Sequence, residues 1–190
     1  MVFARLMIVM VLWLGLQHNT RADIIEVPVF VLDARDDGYA VSADFEFELN
    51  VRLEEALNNG IPLYFLIEFE LIRPRWYWFD ARVASRQLRL RFSYNSLLRQ
   101  YRISVGSLHQ NFSALGDALR VLSRIRSWLV MEREQVRAGE NYIAGLRMRL
   151  DTAQLPKPFQ LSALTNRDLT LSSEWKRIPF IPLEAEPAPQ

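Results

Sequence analysis

Histidine and cysteine carry most hydrolytic, redox and zinc chemistry, and this sequence is nearly without either. It has no cysteine and two histidines, His18 and His109. His18 lies inside an apolar N-terminal leader, which leaves His109 alone in the rest of the chain. A cysteine nucleophile or a His- or Cys-based zinc site therefore cannot be assembled, and a serine triad would have to run through His109. No G-x-S-x-G elbow supports such a triad, and neither a P-loop nor a dinucleotide fingerprint occurs. The run Leu108-His109-Gln110-Asn111 falls between a strand and a helix and reads as a loop.

Carboxylates are the remaining acid and base candidates. Glu46 with Glu48, and Glu68 with Glu70, stand two apart on strands and so share a face, as a carboxylate-dependent glycan hydrolase would require. Any solvated strand produces the same spacing, and nothing in the sequence drives the two pKa values of a pair apart. The most concentrated binding chemistry is the run Arg73-Pro74-Arg75-Trp76-Tyr77-Trp78-Phe79-Asp80. Guanidinium groups beside four consecutive rings can stack bases, bind glycan or sit at a lipid interface, while the same rings can equally fill a core at a strand end. Arg73, Arg75, Trp76, Tyr77 and Trp78 are thus the candidate partner-binding residues. No catalytic, metal or cofactor residue is assigned, and no cofactor is expected. Asp33, Asp36 and Asp37 lack the ligand spacing and distal glutamate of a calcium loop; Asp36, Asp37 and Gly38 read instead as a hairpin turn.

The elements that position these residues are strands. Period-two alternation puts Val41, Ala43, Phe45, Phe47 and Leu49 on one face, with Ser42, Asp44, Glu46 and Glu48 on the other. Leu63, Phe65, Ile67, Phe69 and Leu71 repeat the pattern against Glu68 and Glu70. Leu88, Leu90, Phe92 and Tyr94, then Tyr101, Ile103 and Val105, then Tyr142, Ala144, Leu146, Met148 and Leu150 continue it. Further strands are expected over residues 24–33, 159–164 and 169–175. One apolar and one polar face per strand is the habit of antiparallel sheets. The expected fold is mainly β: an antiparallel β-sandwich, immunoglobulin-like or Greek-key, or an open barrel. It carries one short helix capped by Asn50 and ended by Gly60 and Pro62, and one longer amphipathic helix from Ser113 through Ile125. Residues 128–134 either extend that helix or form another strand.

Charge is segregated along the chain. Residues 23–72 hold 12 acids and 2 bases, and residues 73–149 hold 15 bases and 5 acids. The middle could face nucleic acid or anionic lipid, but acidic strands lying beside basic ones explain the same pattern, and that reading is preferred. The outward rows fit it: Glu46, Glu48, Glu68 and Glu70 come early, and Arg89, Arg91, Arg102, Arg147 and Arg149 come late. No nucleic-acid partner is expected.

Arg5, the apolar run over residues 6–16, and small Thr20 and Ala22 before Asp23 have the layout of a cleavable secretory signal, with an uncleaved anchor as the alternative. At about 1.5 Å per helical residue that run reaches roughly half of a 30 Å hydrocarbon core. The expected organisation is a signal over residues 1–22, a single β-rich domain over 23–178 and a Pro-rich, unpacked tail over 179–190, with no transmembrane span after signal removal. A secreted, periplasmic location follows.

Four runs, taken in order, carry a resemblance: Asn59-Gly60-Ile61-Pro62-Leu63; Arg75-Trp76-Tyr77-Trp78; Ser93-Tyr94 with Arg99-Gln100-Tyr101-Arg102; and Leu155-Pro156-Lys157-Pro158-Phe159-Gln160. On these the chain resembles the exported proteobacterial family known as domain of unknown function 4390. The resemblance brings no activity or catalytic residue with it. It implies one partner, a two-component sensor kinase of the nitrogen-regulation type, near which members are often encoded. The expected function is that of a non-enzymatic binding module, accessory to the envelope, that engages an envelope protein or envelope component. An apolar-ligand or lipid carrier with a cavity between its sheets is the alternative, and a glycan hydrolase the third reading.

Overall fold

The computed structural model describes residues 25–75, 77, 80–160 and 170–182. The expected signal, Trp76, Trp78 and residues 183–190 lie outside the described residues. Nine strands occur among the described residues: β1 Glu26–Arg35, β2 Gly38–Glu46, β3 Leu63–Arg73, β4 Ala81–Asn95, β5 Gln100–Val105, β6 Leu108–Phe112, β7 Arg124–Met131, β8 Tyr142–Leu150 and β9 Lys176–Phe180. They form two antiparallel sheets, ordered β1-β2-β7 and β6-β5-β4-β3-β8-β9. The architecture is therefore mainly β and sandwich-like, with no closed barrel. Hairpins join β3 to β6 in a simple meander, and β8 returns to the free side of β3.

Alternation translates directly into burial. Leu63, Phe65, Ile67, Phe69 and Leu71 of β3 are each at most 1% exposed. In register they face Leu90 and Phe92 on one neighbour and Ala144, Leu146, Met148 and Leu150 on the other. Val41, Ala43 and Phe45 close the core from the smaller sheet. Just past the end of β2 the Phe47 ring packs against this core, its centroid 5.5 Å from that of Phe65.

Helix α1, Val51–Asn58, forms as the residue types dictate. The Asn50 side chain accepts the Leu53 amide at 2.9 Å, Leu53, Ala56 and Leu57 are buried, and Gly60 takes φ +82° at the exit. Asn50→Ala is expected to cost about 1 kcal/mol. That would show as a lower urea midpoint at unchanged m value.

Helix α2, Leu115–Leu122, ends earlier than its three-and-four spacing suggests. Ile125, expected on the helix, belongs to β7 and lies opposite Ala43, with Arg124 opposite Asp44. Sheet pairing outcompetes the helix here because Arg126 gains two acceptors on β2, the Ala43 carbonyl and the Asp44 carboxylate. Residues 128–134 resolve into the end of β7 followed by a short 3-10 turn.

Three other expectations need correction. His109 is not in a loop; it sits on β6 directly opposite Ser104. The strand expected over 159–164 is helical at residues 159 and 160, and the remainder lies outside the described residues. Of the strand expected over 169–175, the described part touches β8 through one bridge, Ser172 to Arg149, and regular pairing begins only at Lys176. The tail boundary at Pro179 consequently falls inside β9, where Pro179 faces Ile143 and the Phe180 ring meets Tyr39 edge-on at 5.1 Å. Proline is tolerated there because β9 is an edge strand, with one side free of ladder partners.

Candidate functional site

The β3–β4 connection carries the run picked out by its arginines and rings. Arg73 ends β3, half-buried, and pairs with Glu140 at 3.3 Å. Glu140 also accepts the Tyr142 hydroxyl at 2.8 Å, and that hydroxyl in turn accepts the Arg137 amide at 3.1 Å. The hydrogen bond from Tyr142, seconded by Arg73, holds the Glu140 carboxyl below the usual carboxylate range despite opposition from desolvation. Burial pushes the Tyr142 phenol up, and its donation to Glu140 adds to that. Arg73 is thus occupied in bracing the strand end. Beyond it the Arg75 amide donates to Asp80 Oδ1 at 3.3 Å across the loop. The Arg75 side chain is exposed and Tyr77 is 68% exposed, so two of the five candidates stand at an open tip. Trp76 and Trp78 lie outside the described residues.

The carboxylates on β3 are placed quite differently from a solvated row. Glu68 lies opposite Gln87 on β4 and Arg147 on β8. Its Oε2 accepts from Arg147 Nη2 at 2.6 Å and Nε at 2.9 Å, and from Arg149 Nε at 3.1 Å; Gln87 reaches Oε1 at 3.3 Å. Burial alone would raise the pKa of this carboxyl, but the bonds from Arg149 and Arg147 outweigh it and hold the group below the ordinary value. Glu70 is only 6% exposed and stands between Arg82 and Arg177, each at 3.6 Å.

A return segment roofs this pair. The Ser173 amide donates to the Met148 carbonyl at 2.8 Å, the Leu150 amide donates to the Leu171 carbonyl at 2.7 Å, and the chain then lays Trp175 over β8. Arg147 sits 4.6 Å from the centre of the Trp175 ring. Gly145, opposite Glu70, makes room for both: a Cβ there would meet Glu70 Cγ at 3.1 Å and Trp175 Cε3 at 3.2 Å. The face of β3 and β8 expected to be wet is therefore covered at its centre. Sequence spacing pairs Glu68 with Glu70 correctly, but it holds no sign of the roof, which comes from residues a hundred positions away. The one available signal was the matched parity of Glu68 with Arg147 and Arg149.

Chemically, an ionised carboxylate bonded to two arginines accepts hydrogen bonds and has no proton to give at neutral pH. Glu46, the other early candidate, is exposed and faces Glu26 across β1. Among the described residues no group of three or more acidic or histidine side chains could hold a metal ion. No helix among them is long and apolar enough to cross a membrane.

The fold is thus a sandwich-like pair of antiparallel sheets with an arginine-clamped acidic centre on β3 and an exposed tip at Arg75 and Tyr77. The chain belongs to the family described as domain of unknown function DUF4390, whose model matches residues 22–179. No curated protein and no solved structure matches it.

Proposed function

We propose that this protein is a non-enzymatic binding module of the cell envelope, exported by its N-terminal signal, that engages an envelope protein or envelope component through the tip around Arg75 and Tyr77. The observation that carries this reading is the engagement of the β3 carboxylates. Glu68 and Glu70 are each held between two arginines, so the pair best placed for acid and base work is committed to ion pairs. The open tip, by contrast, presents a guanidinium and a ring to solvent, the residue types that anchor protein and glycan interfaces. A carrier of apolar ligands would need space between the sheets, where buried side chains of both sheets pack as one hydrophobic cluster.

The test is in vivo cross-linking of the envelope followed by affinity capture of wild type and an Arg75→Ala, Tyr77→Ala double variant. The variant is expected to melt within about 0.5 kcal/mol of wild type, as exposed positions do. It should yield at least tenfold less of any specific cross-linked product. Equal capture by both proteins, or no specific product from wild type, rules the tip out as the binding surface. A sensor kinase is one partner to look for among the products.

A further inference from the structure

The outer face of the β3–β6 meander holds a second arrangement, separate from the tip and independent of the reading above. Register places Tyr64 opposite Arg91, Arg91 opposite Ser104, and Ser104 opposite His109. These four residues form a straight row across four strands. At roughly 4.8 Å per strand the row spans about 14 Å. Arg89 stands two residues from Arg91 on β4 and Arg102 two residues from Ser104 on β5, so both share the row's face, and the six side chains line an open groove of about 400 Å³.

The charge of this groove is not spent inside the protein. Among the described residues the only ion pair its three arginines make is Arg89 with Asp151, at 3.8 Å, and Arg89 remains 55% exposed there. Arg102 donates its Nε to Asn111 Oδ1 at 2.8 Å, which fixes the side chain while leaving its two terminal nitrogens for another acceptor. Arg91 is exposed and has no carboxylate partner among the described residues. Three guanidinium groups against one carboxylate leave an excess of two positive charges. The Ser104 hydroxyl and the His109 imidazole add further donors on the same row. This contrasts with Arg147 and Arg149 on the same sheet, both of which are paired with Glu68.

We propose that the groove is a binding site for a phosphate group, with Arg91 as its central cation, Arg89 and Arg102 flanking it, and Ser104 and His109 as hydrogen-bond donors. A carboxylate is satisfied by one bidentate arginine, whereas three arginine forks with a hydroxyl and an imidazole match the three or more oxygens and the double charge of a phosphate. The groove is larger than that anion, and Leu108 beside it is 76% exposed. The phosphate therefore belongs to a larger body, either a soluble phosphate ester or a lipid headgroup, and the two sources are separable by experiment.

Titration of isotope-labelled protein with inorganic phosphate is expected to shift the amide resonances of Arg91, Ser104 and His109 in a saturable way. Arg91→Ala should weaken that binding about tenfold or more, since each charge-assisted fork contributes strongly. Arg86→Ala, which removes the same charge from the opposite face of β4, should leave it unchanged. Co-sedimentation with vesicles of phosphatidylglycerol, compared with phosphatidylcholine, then identifies the source. Loss of sedimentation in Arg91→Ala but not in Arg86→Ala assigns a lipid headgroup, and phosphate binding without sedimentation assigns a soluble ester. Shifts scattered over all arginines, equal losses in the two variants, or no saturable shift overturn the proposal. Should Arg91→Ala fail to fold, Ser104→Ala and the wild-type titration still decide it.

Discussion

Replacing Gly38 with alanine is expected to destabilise the protein by about 3 kcal/mol, the largest effect of any single methyl group in the described chain. Two costs coincide at this position. The backbone there has φ +148°, a conformation that side-chain-bearing residues rarely adopt, and an added Cβ would lie 2.1 Å from the Met131 carbonyl oxygen. That oxygen is backbone of β7 and cannot swing aside as a side-chain tip could. Gly38 opens β2 after the Asp36, Asp37 turn, and its neighbour Tyr39 pairs with Met131, so relief requires separating β2 from β7. A drop in melting temperature of roughly 6–12 °C should follow. Gly116, near the start of α2, is the matched control: a Cβ there meets nothing within 4 Å, so Gly116→Ala should raise stability by up to about 1 kcal/mol. Equal melting temperatures for Gly38→Ala and wild type would mean that β2 and β7 do not approach as described.

The same hairpin illustrates how much could be read beforehand. Strand β8 runs from Tyr142 to Leu150 as its rhythm predicts, and β3 carries its apolar row into the core, whereas β2 ends at Glu46 although the alternation continues to Leu49, and β5 fully buries Ile103 alone of its row. Where the rhythm is broken, reading fails for a local physical reason. In β7, Ser127 has φ +51° and the register slips between Ala43 and Val41, so Ile125 and Trp128 fall three apart and imitate a helix. Strand β6 is an edge whose residues are exposed except for half-buried Phe112, so no alternation marks it. Its sole cue was pairing with β5, and pairing is what brings His109 across from Ser104.

The candidate site divides in the same way. The outward rows of glutamate and arginine were legible as complementary charge, and the structure joins them at Glu68, which pairs with Arg147 and Arg149; Glu70 pairs instead with Arg82 and Arg177, and Glu46 faces Glu26. What the rows could not disclose was depth. Whether an outward glutamate meets water or a tryptophan depends on the return segment over residues 170–175, and no local pattern ties that segment to β3. The distinction between arginines that are spent and arginines that are free likewise needs register, because Arg91 and Arg149 have the same neighbours in sequence terms: apolar residues on either side.

Glu68→Gln is expected to cost about 2–3 kcal/mol at neutral pH. The figure is set below that for a fully buried pair because Arg147 and Arg149 are each about a third exposed and keep some solvation when the carboxylate is lost. Removing only the charge leaves two arginines and the Trp175 ring around a neutral amide, so the penalty is that of uncompensated cations rather than lost packing. The pH dependence has a definite sign. The folded-state pKa of Glu68 is lowered from 4.5, so its contribution is complete above the unfolded carboxylate range and is lost as pH falls through the lower folded value. Wild type should therefore lose stability on acidification below about pH 4.5 more steeply than Glu68→Gln, and the two urea-unfolding curves should converge at low pH. The sign at neutral pH also bears on function. A carboxylate kept for chemistry is commonly held at a cost to stability, and neutralising it tends to stabilise the fold. A Glu68→Gln protein as stable as wild type at pH 7, or more so, would remove the architectural role argued for this cluster and return the β3 carboxylates to the list of acid and base candidates.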